Sequence, residues 1–272
     1  MPPPFFAFFL KRYYIIVMKL KFIDSIHNPS IKWIKKVCQN PKKEGYVVFE
    51  GEHILEEALK SDFYFHRIVM TEEKYKKWKE MVLGFETLIV KEELLKAISL
   101  TKSPEGVLAV GMMKKWVLEE PRENSAYLYM DGVQDPVNVG ILIRSAYAFG
   151  FDAVFFGEGS CDFFNPTVVA RSAGAVFHIP VYSLKKVEFL SWAELNRVGI
   201  FVADSSKGGD IRTFFPFSSF VLVLGNEARG ISKEILEKND KVFTITMRDG
   251  WDSLNVAAAG SILMYELKKL KM

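Results

Sequence analysis

The chain has 272 residues, 49% of them hydrophobic and 25% charged, with a net charge of +3. Those values fit one large or two modest soluble domains and permit, without requiring, a polyanionic partner. Cys38 and Cys161 are the only cysteines and have no Cys-x-x-Cys spacing, which argues against a disulfide framework or a zinc site and suits a reducing cytoplasm.

The chain opens on "MPPPFFAFFLKRYYIIV". Its apolar run, 5–10, is cut by Lys11 and Arg12. A spanning helix needs about 20 apolar residues, and a signal peptide carries its positive charge ahead of the apolar region. Neither is expected. Translation is expected to start at Met18, leaving 1–17 as an unstructured or untranslated leader.

From Asn28 onward helices and strands alternate. "SIKWIKKVCQ" repeats apolar residues at Ile31, Ile34 and Val37, a helical period. "YVVFEG", "FHRIVM", "TLIV" and "GVLAVGMM" read as strands, separated by the helices "EHILEEALK", "EEKYKKWKEMV" and "KEELLKAI". This pattern predicts a small α/β layer structure over 18–112. Residues 113–125, "MKKWVLEEPRENS", lose periodicity and are read as a linker.

A second α/β domain is expected over 126–272. Its strands are predicted at 127–130, 153–156, 177–181, 199–203, 220–224 and 242–246, and its helices at 139–149, 167–173, 187–196, 232–238 and 254–270. The strands are apolar at both alternating positions, as in a parallel sheet covered on both faces.

Ligands of such sheets sit at the carboxyl ends of the strands, and three loops there carry polar residues. In "DGVQDPVNVGILIRSA", Asn138 fits a helix N-cap, whereas Arg144 stands among Leu142, Ile143 and Ala146 on a nearly all-apolar helix. Such an arginine either snorkels to the surface or meets an anion. In "LVLGNEARGIS", Glu227 and Arg229 lie between Gly225 and Gly230, as a structural ion pair or as ligand contacts. Ser232 is a candidate cap for the helix after it. In "DSLNVAAAGSILMYEL", Asp252 or Ser253 is a candidate cap for a helix whose small residues 257–260 permit close packing. Asn255 falls in its first turn.

In order, spacing and flanking strands, "NVGILIRSAYAFGFDAVFF", "LVLGNEARGIS" and "DSLNVAAAGSILMYEL" resemble the three signature motifs of the SpoU (TrmH) RNA ribose 2′-O-methyltransferases, in the SPOUT superfamily. "NPTVVARSAGAVFHIPV" resembles the segment between motifs one and two, and "SPEGVLAVGM" the end of the family's N-terminal domain. The resemblance covers about residues 25–270. It implies an α/β fold with a C-terminal trefoil-knot domain built on a mostly parallel sheet. A smaller N-terminal, ribosomal-protein-like α/β domain would bind the substrate. Knots are otherwise rare, and periodicity cannot reveal one.

It further implies S-adenosylmethionine (AdoMet) as cofactor, held by Leu224, Gly225, Ile245, Leu254 and Asn255, and a homodimer whose sites are completed across the interface. AdoMet carries no phosphate, so the missing Gly-x-Gly-x-x-Gly is no objection. The catalytic set implied is Asn138, Arg144, Glu227, Ser253 and Asn255, with Arg171 and Ser172 on the RNA. The second serine often found after "SLNV" is Ala257 here, a minor departure.

Methyl transfer to a ribose 2′-hydroxyl needs an in-line oxygen, an exit for its proton and compensation of alkoxide charge. Arg144 can supply the third, while a guanidinium with a pKa above about 12 is a poor base. No metal is required. The four histidines, His27, His53, His66 and His178, are scattered and read as structural. Lys32, Lys35 and Lys36, followed by Lys42 and Lys43, form either a solvated helix face or, in an RNA-binding domain, a phosphate track. The function expected is AdoMet-dependent methylation of a ribose 2′-hydroxyl in a structured RNA, ribosomal RNA ahead of transfer RNA. Two alternatives stand beside it. A non-catalytic ribosome-assembly factor of the same fold would be favoured by loss of Arg144 or Asn255, and both are present. An unknotted nucleotide enzyme would need a glycine-rich first loop, which "DGVQDPVNVG" does not supply.

Overall fold

The computed structural model describes residues 19–204, 208–211, 218–250 and 252–270; the expected leader and the Met18 start lie outside them. The chain divides into two compact units between Lys114 and Lys115.

The first unit runs β1 (Leu20–Ile23), α1 (Pro29–Gln39), α2 (Pro41–Glu44), β2 (Val47–Glu50), α3 (Glu52–Leu59), β3 (Tyr64–Thr71), α4 (Glu72–Trp78), β4 (Thr87–Val90), α5 (Glu92–Ile98) and β5 (Val107–Met112). Its sheet has the order β1-β4-β3-β5-β2. β1, β4 and β3 are parallel, and β5 pairs antiparallel with β3 and β2. Asn28 starts α1, its Oδ1 accepting the Ser30 N–H at 2.9 Å, with Pro29 in the first turn. Ile31, Ile34 and Val37 are then fully buried while Lys32 and Lys35 stay exposed. Truncating one such isoleucine to Ala costs about 2–5 kcal/mol. β1 was not anticipated: four residues are too few for alternation to register, and this edge strand leaves Phe22 largely exposed. A bulge shifts the β3–β5 register between Phe65 and Arg67. His66 and Arg67 consequently meet the same Trp33 ring, each 4.8 Å from its centroid.

The second unit runs β6 (Ala126–Asp131), α6 (Pro136–Ala148), β7 (Ala153–Phe156), α7 (Pro166–Arg171), a 3₁₀ turn (Ala175–Phe177), β8 (Val181–Ser183), α8 (Lys186–Leu195), β9 (Gly199–Ala203), β10 (Phe220–Gly225), α9 (Lys233–Leu236), β11 (Lys241–Phe243) and α10 (Val256–Leu270). The sheet order is β11-β9-β10-β6-β7-β8, and every pairing in it is parallel. β6 and β10 lie side by side at its centre, and their apolar residues are buried. This is the covered parallel sheet that the apolar strands predict. α10 returns over α6 and β10. A Cβ on Gly260 would stand 2.5 Å from both Leu142 and Leu224, so this is the small residue that the close packing requires. Ser145 and Ser261 hydroxyls bond at 2.8 Å across the same helix pair.

Two expectations fail locally. The strand expected at 177–181 begins only at Val181. Gly174 is left-handed (φ +85°), and Phe177 and His178 donate their N–H groups to the carbonyls of Gly174 and Ala175, closing a tight turn. The strand expected at 242–246 ends at Phe243, which frees Ile245 from the sheet. Residues 113–125 form no helix or strand.

Candidate functional site

β6 and β10 end in register, Asp131 beside Gly225. The buried Asp131 carboxylate accepts the Ser232 N–H at 2.7 Å and ties the end of β6 to the loop after β10. Pro136 starts α6, but its cap is Asp135, which accepts the Val137 N–H at 2.8 Å. Asn138 is therefore not the N-cap expected of it. It is buried within the first turn, and both ends of its amide are used. Nδ2 donates to Glu227 Oε1 at 3.0 Å, and Oδ1 accepts from Asn255 Nδ2 at 2.9 Å. Asn255 Oδ1 in turn accepts the N–H groups of Ala257 and Ala258 at 2.9 and 3.2 Å. Asn255, rather than Asp252 or Ser253, thus caps α10. Its other amide end explains why an uncharged residue sits where a helix dipole alone would favour Asp or Glu.

Glu227 also accepts the N–H groups of Gln134 and Asp135 at 3.3 and 3.4 Å. Burial pushes its carboxyl pKa up, but the bonds from Asn138 and these amides prevail and hold it below the usual carboxylate range. One residue from each of the three loops thereby joins a single polar network. Glu227 does not ion-pair with Arg229; the latter's side chain has no bonded partner among the described residues.

A cavity of about 600 Å³ opens beside this network. Leu224, Gly225, Ile245, Leu254 and Asn255, all expected to hold a cofactor, line it, as do Glu227 and Ser253. Asn138 reaches it through Glu227 and Asn255. Gly225 is required sterically: a Cβ there would stand 2.4 Å from the Gly230 carbonyl carbon. Asp204, Arg229, Met247 and Leu263 also line the cavity and were not singled out as cofactor contacts. Asp204 and Met247 lie in irregular segments, where no period marks a facing side chain.

Arg144 lies outside this lining, exposed on the face of α6 opposite Leu142, Ile143 and Ala146. Ile141 and Tyr147 flank it, 37% and 47% exposed, and α10 adds exposed Ile262 and Tyr265. The all-apolar look of α6 therefore comes from two faces, one buried and one uncovered. Arg171 is exposed beside α6, its Cβ against Gly140. Ser172 is a correction: it is fully buried and its hydroxyl donates to the Val169 carbonyl at 2.8 Å, so it presents nothing to RNA. Lys32, Lys35 and Lys36 belong to the first unit, exposed on α1; Lys36 pairs with Glu44 at 3.0 Å. Cys38 offers no thiolate, since burial pushes its thiol up to about 12. Among the described residues no helix is long and apolar enough to cross a membrane, and no group of three or more acidic, His or Cys side chains is placed to hold a metal.

Residues 125–265 match the SpoU rRNA Methylase family model, and residues 28–109 match the MRM3-like substrate binding domain. The chain is 32% identical to the 23S rRNA (guanosine(2553)-2′-O)-methyltransferase RlmP of Bacillus subtilis, over 92% of this chain and 100% of that protein. Among solved structures it resembles an AdoMet-bound rRNA methyltransferase from Sinorhizobium meliloti, at 25% identity and a TM-score of 0.84, covering 92% of this chain and 98% of the other. It also resembles a TrmH-family RNA methyltransferase from Porphyromonas gingivalis, at 28% identity and a TM-score of 0.75, covering 89% and 98%.

Proposed function

Because the chain belongs to the SpoU rRNA methylase family, we propose that it transfers a methyl group from AdoMet to a ribose 2′-hydroxyl of a structured RNA, ribosomal RNA in particular. Its fold is that of the SPOUT methyltransferases, with a separate N-terminal α/β substrate-binding domain. The observation that carries the proposal is the convergence of Asn138, Glu227 and Asn255 beside a cavity lined by the second and third motif loops.

The residues present fit AdoMet. Leu224, Ile245, Leu254 and Leu263 provide apolar wall for an adenine, and Gly225 leaves backbone bare for close approach. When bound, the cofactor supplies an electrophilic methyl group on a sulfonium. Glu227 is held ionised and clamped by three donors, so it serves as the anchor of Asn138 and Asn255 rather than as a mobile base. Asn255 and Ser253 are placed at the cavity to orient the ribose. Arg144 supplies a planar fork of donors for an alkoxide or phosphate.

Since Arg144 projects from the uncovered apolar face, a homodimer across α6 and α10 would bury Ile141, Tyr147, Ile262 and Tyr265 and carry Arg144 toward the second copy's site. The exposed lysines of α1 would follow the RNA backbone from the first unit. Hydrolysing unmodified ribosomal RNA after incubation with the protein and isotopically labelled AdoMet tests the reading. Label in 2′-O-methylnucleosides supports it; label confined to bases, or none, refutes it. The reaction would take place in the cytoplasm.

A further inference from the structure

The turn that presents Glu227 carries a second charged side chain, which the roles above leave unused. Asn226 and Gly230 exchange both backbone hydrogen bonds, at 3.0 and 2.9 Å. Asn226 Oδ1 accepts the N–H groups of Ala228 and Arg229, each at 3.0 Å, and its Nδ2 donates to the Gly132 carbonyl at 2.7 Å. Gly230, at φ +69°, closes the turn. The backbone at Arg229 is thus fixed to β10 on one side and to the loop after β6 on the other.

The Arg229 side chain lines the cavity and is exposed at its rim. Among the described residues that line it, Arg229 is the only cation, and Asp204 and Glu227 line it as well. Glu227 is turned away to Asn138 and to the Gln134 and Asp135 amides, so the ion pair that sequence alone would allow does not form. A guanidinium with no partner among the described residues, on a clamped turn, is a preorganised fork for an oxyanion. Its exposure decides which one. A cofactor carboxylate would sit inside the cavity, whereas a polyanionic substrate arrives at the rim.

We propose that Arg229 binds a backbone phosphate of the RNA at the mouth of the cavity and so sets the register of the strand over the methyl donor. It is a positioning residue. Phosphate contacts fix orientation and carry no sequence information, so the role is independent of which nucleotide is modified. The inference rests on the methyltransferase reading.

The test uses the full chain with Arg229→Gln and Arg229→Lys. Affinity for in vitro transcribed, unmodified large-subunit ribosomal RNA is measured across a NaCl series, AdoMet affinity by calorimetry and mass by light scattering. One lost phosphate contact lowers the slope of log K against log salt by about 0.7–0.9. Arg229→Gln should show that loss, with several-fold weaker RNA binding at low salt and unchanged AdoMet affinity and mass. Arg229→Lys should restore most of the slope. An unchanged slope overturns the proposal, as does a tenfold loss of AdoMet affinity at constant slope, which would assign Arg229 to the cofactor. So does a change in mass. A wild-type chain that transfers no methyl group, yet loses slope on Arg229→Gln, would defeat the methyltransferase reading and leave the phosphate contact standing.

Discussion

Gly225→Ala should separate the cavity wall from everything else in the domain. The added Cβ would stand 2.4 Å from the Gly230 carbonyl carbon and 2.6 Å from its oxygen. Ordinary carbon contacts lie at about 3.5–4.0 Å, so the overlap is about 1 Å. The obstacle is backbone and cannot rotate away. Either β10 leaves its register with Asp131 or the turn 226–230 opens. Overpacking of this kind costs about 1–3 kcal/mol, and each bridge hydrogen bond lost between Asn226 and Gly230 about 1 kcal/mol more. At roughly 2–4 °C per kcal/mol for a domain of this size, the melting temperature of the second unit should fall by about 5–15 °C. Calorimetry should find AdoMet binding lost or weakened beyond tenfold. Gly230→Ala is the control: nothing lies within 4 Å of its Cβ position, so only the left-handed backbone is penalised, by about 1–2 kcal/mol. A Gly225→Ala protein that melts within a degree or two of wild type and binds AdoMet normally would refute the steric argument.

Arg144→Ala should bind AdoMet nearly as wild type by calorimetry, because Arg144 does not line the cavity. Its turnover should drop by about 10²–10³, the usual consequence of losing a transition-state donor, and Arg144→Lys should recover little. Asn255→Ala removes the cap of α10 and the donor to Asn138; thermal melts should show a loss of about 1 kcal/mol from the cap, with methyl transfer falling well beyond that. Glu52 is held down to about 2 by hydrogen bonds from Lys74, then Lys77 and Trp78. A depressed carboxyl contributes stability above its ordinary pKa and loses it as pH falls through the folded value. The gap in denaturation midpoint between wild type and Glu52→Gln should therefore be constant near neutrality and close between about pH 4.5 and pH 2; a gap that persists at pH 2 would contradict the assigned cause. Light scattering at micromolar concentration should give a dimer, reduced to monomer by Tyr147→Glu with Tyr265→Glu.

The parallel sheet was legible because its inner strands β6, β7, β9 and β10 are apolar at successive positions, as buried strands are. Edge strands were not: in the first unit β1 is four residues long, and in the second the apolar run before Val181 is bent by Gly174. The loops were legible as a set, through motifs whose order and spacing agree. Their internal wiring was not. Asn138 and Asn255 each suit a helix start, and a sequence cannot show that one caps while the other bridges. The alternatives left open for Glu227 and Arg229 were decided by the amides of Gln134 and Asp135, which belong to a loop some 90 residues away. Ser172 adjoins Arg171 in an exposed-looking motif, yet the helix turn points its hydroxyl inward.

The Asn138 amide joins partners 89 and 117 residues distant along the chain. Contacts of such sequence separation form late, because the intervening loops must be closed before any bond repays their entropy. By Phe243 every strand of the second sheet has been specified, while Asn255, Ala259 and Leu263 of the cavity wall have not. The complete sheet alone therefore still lacks part of the binding site. Affinity should arise in one step, when α10 settles over α6, and ligand bound at that moment drives the docking equilibrium forward by mass action.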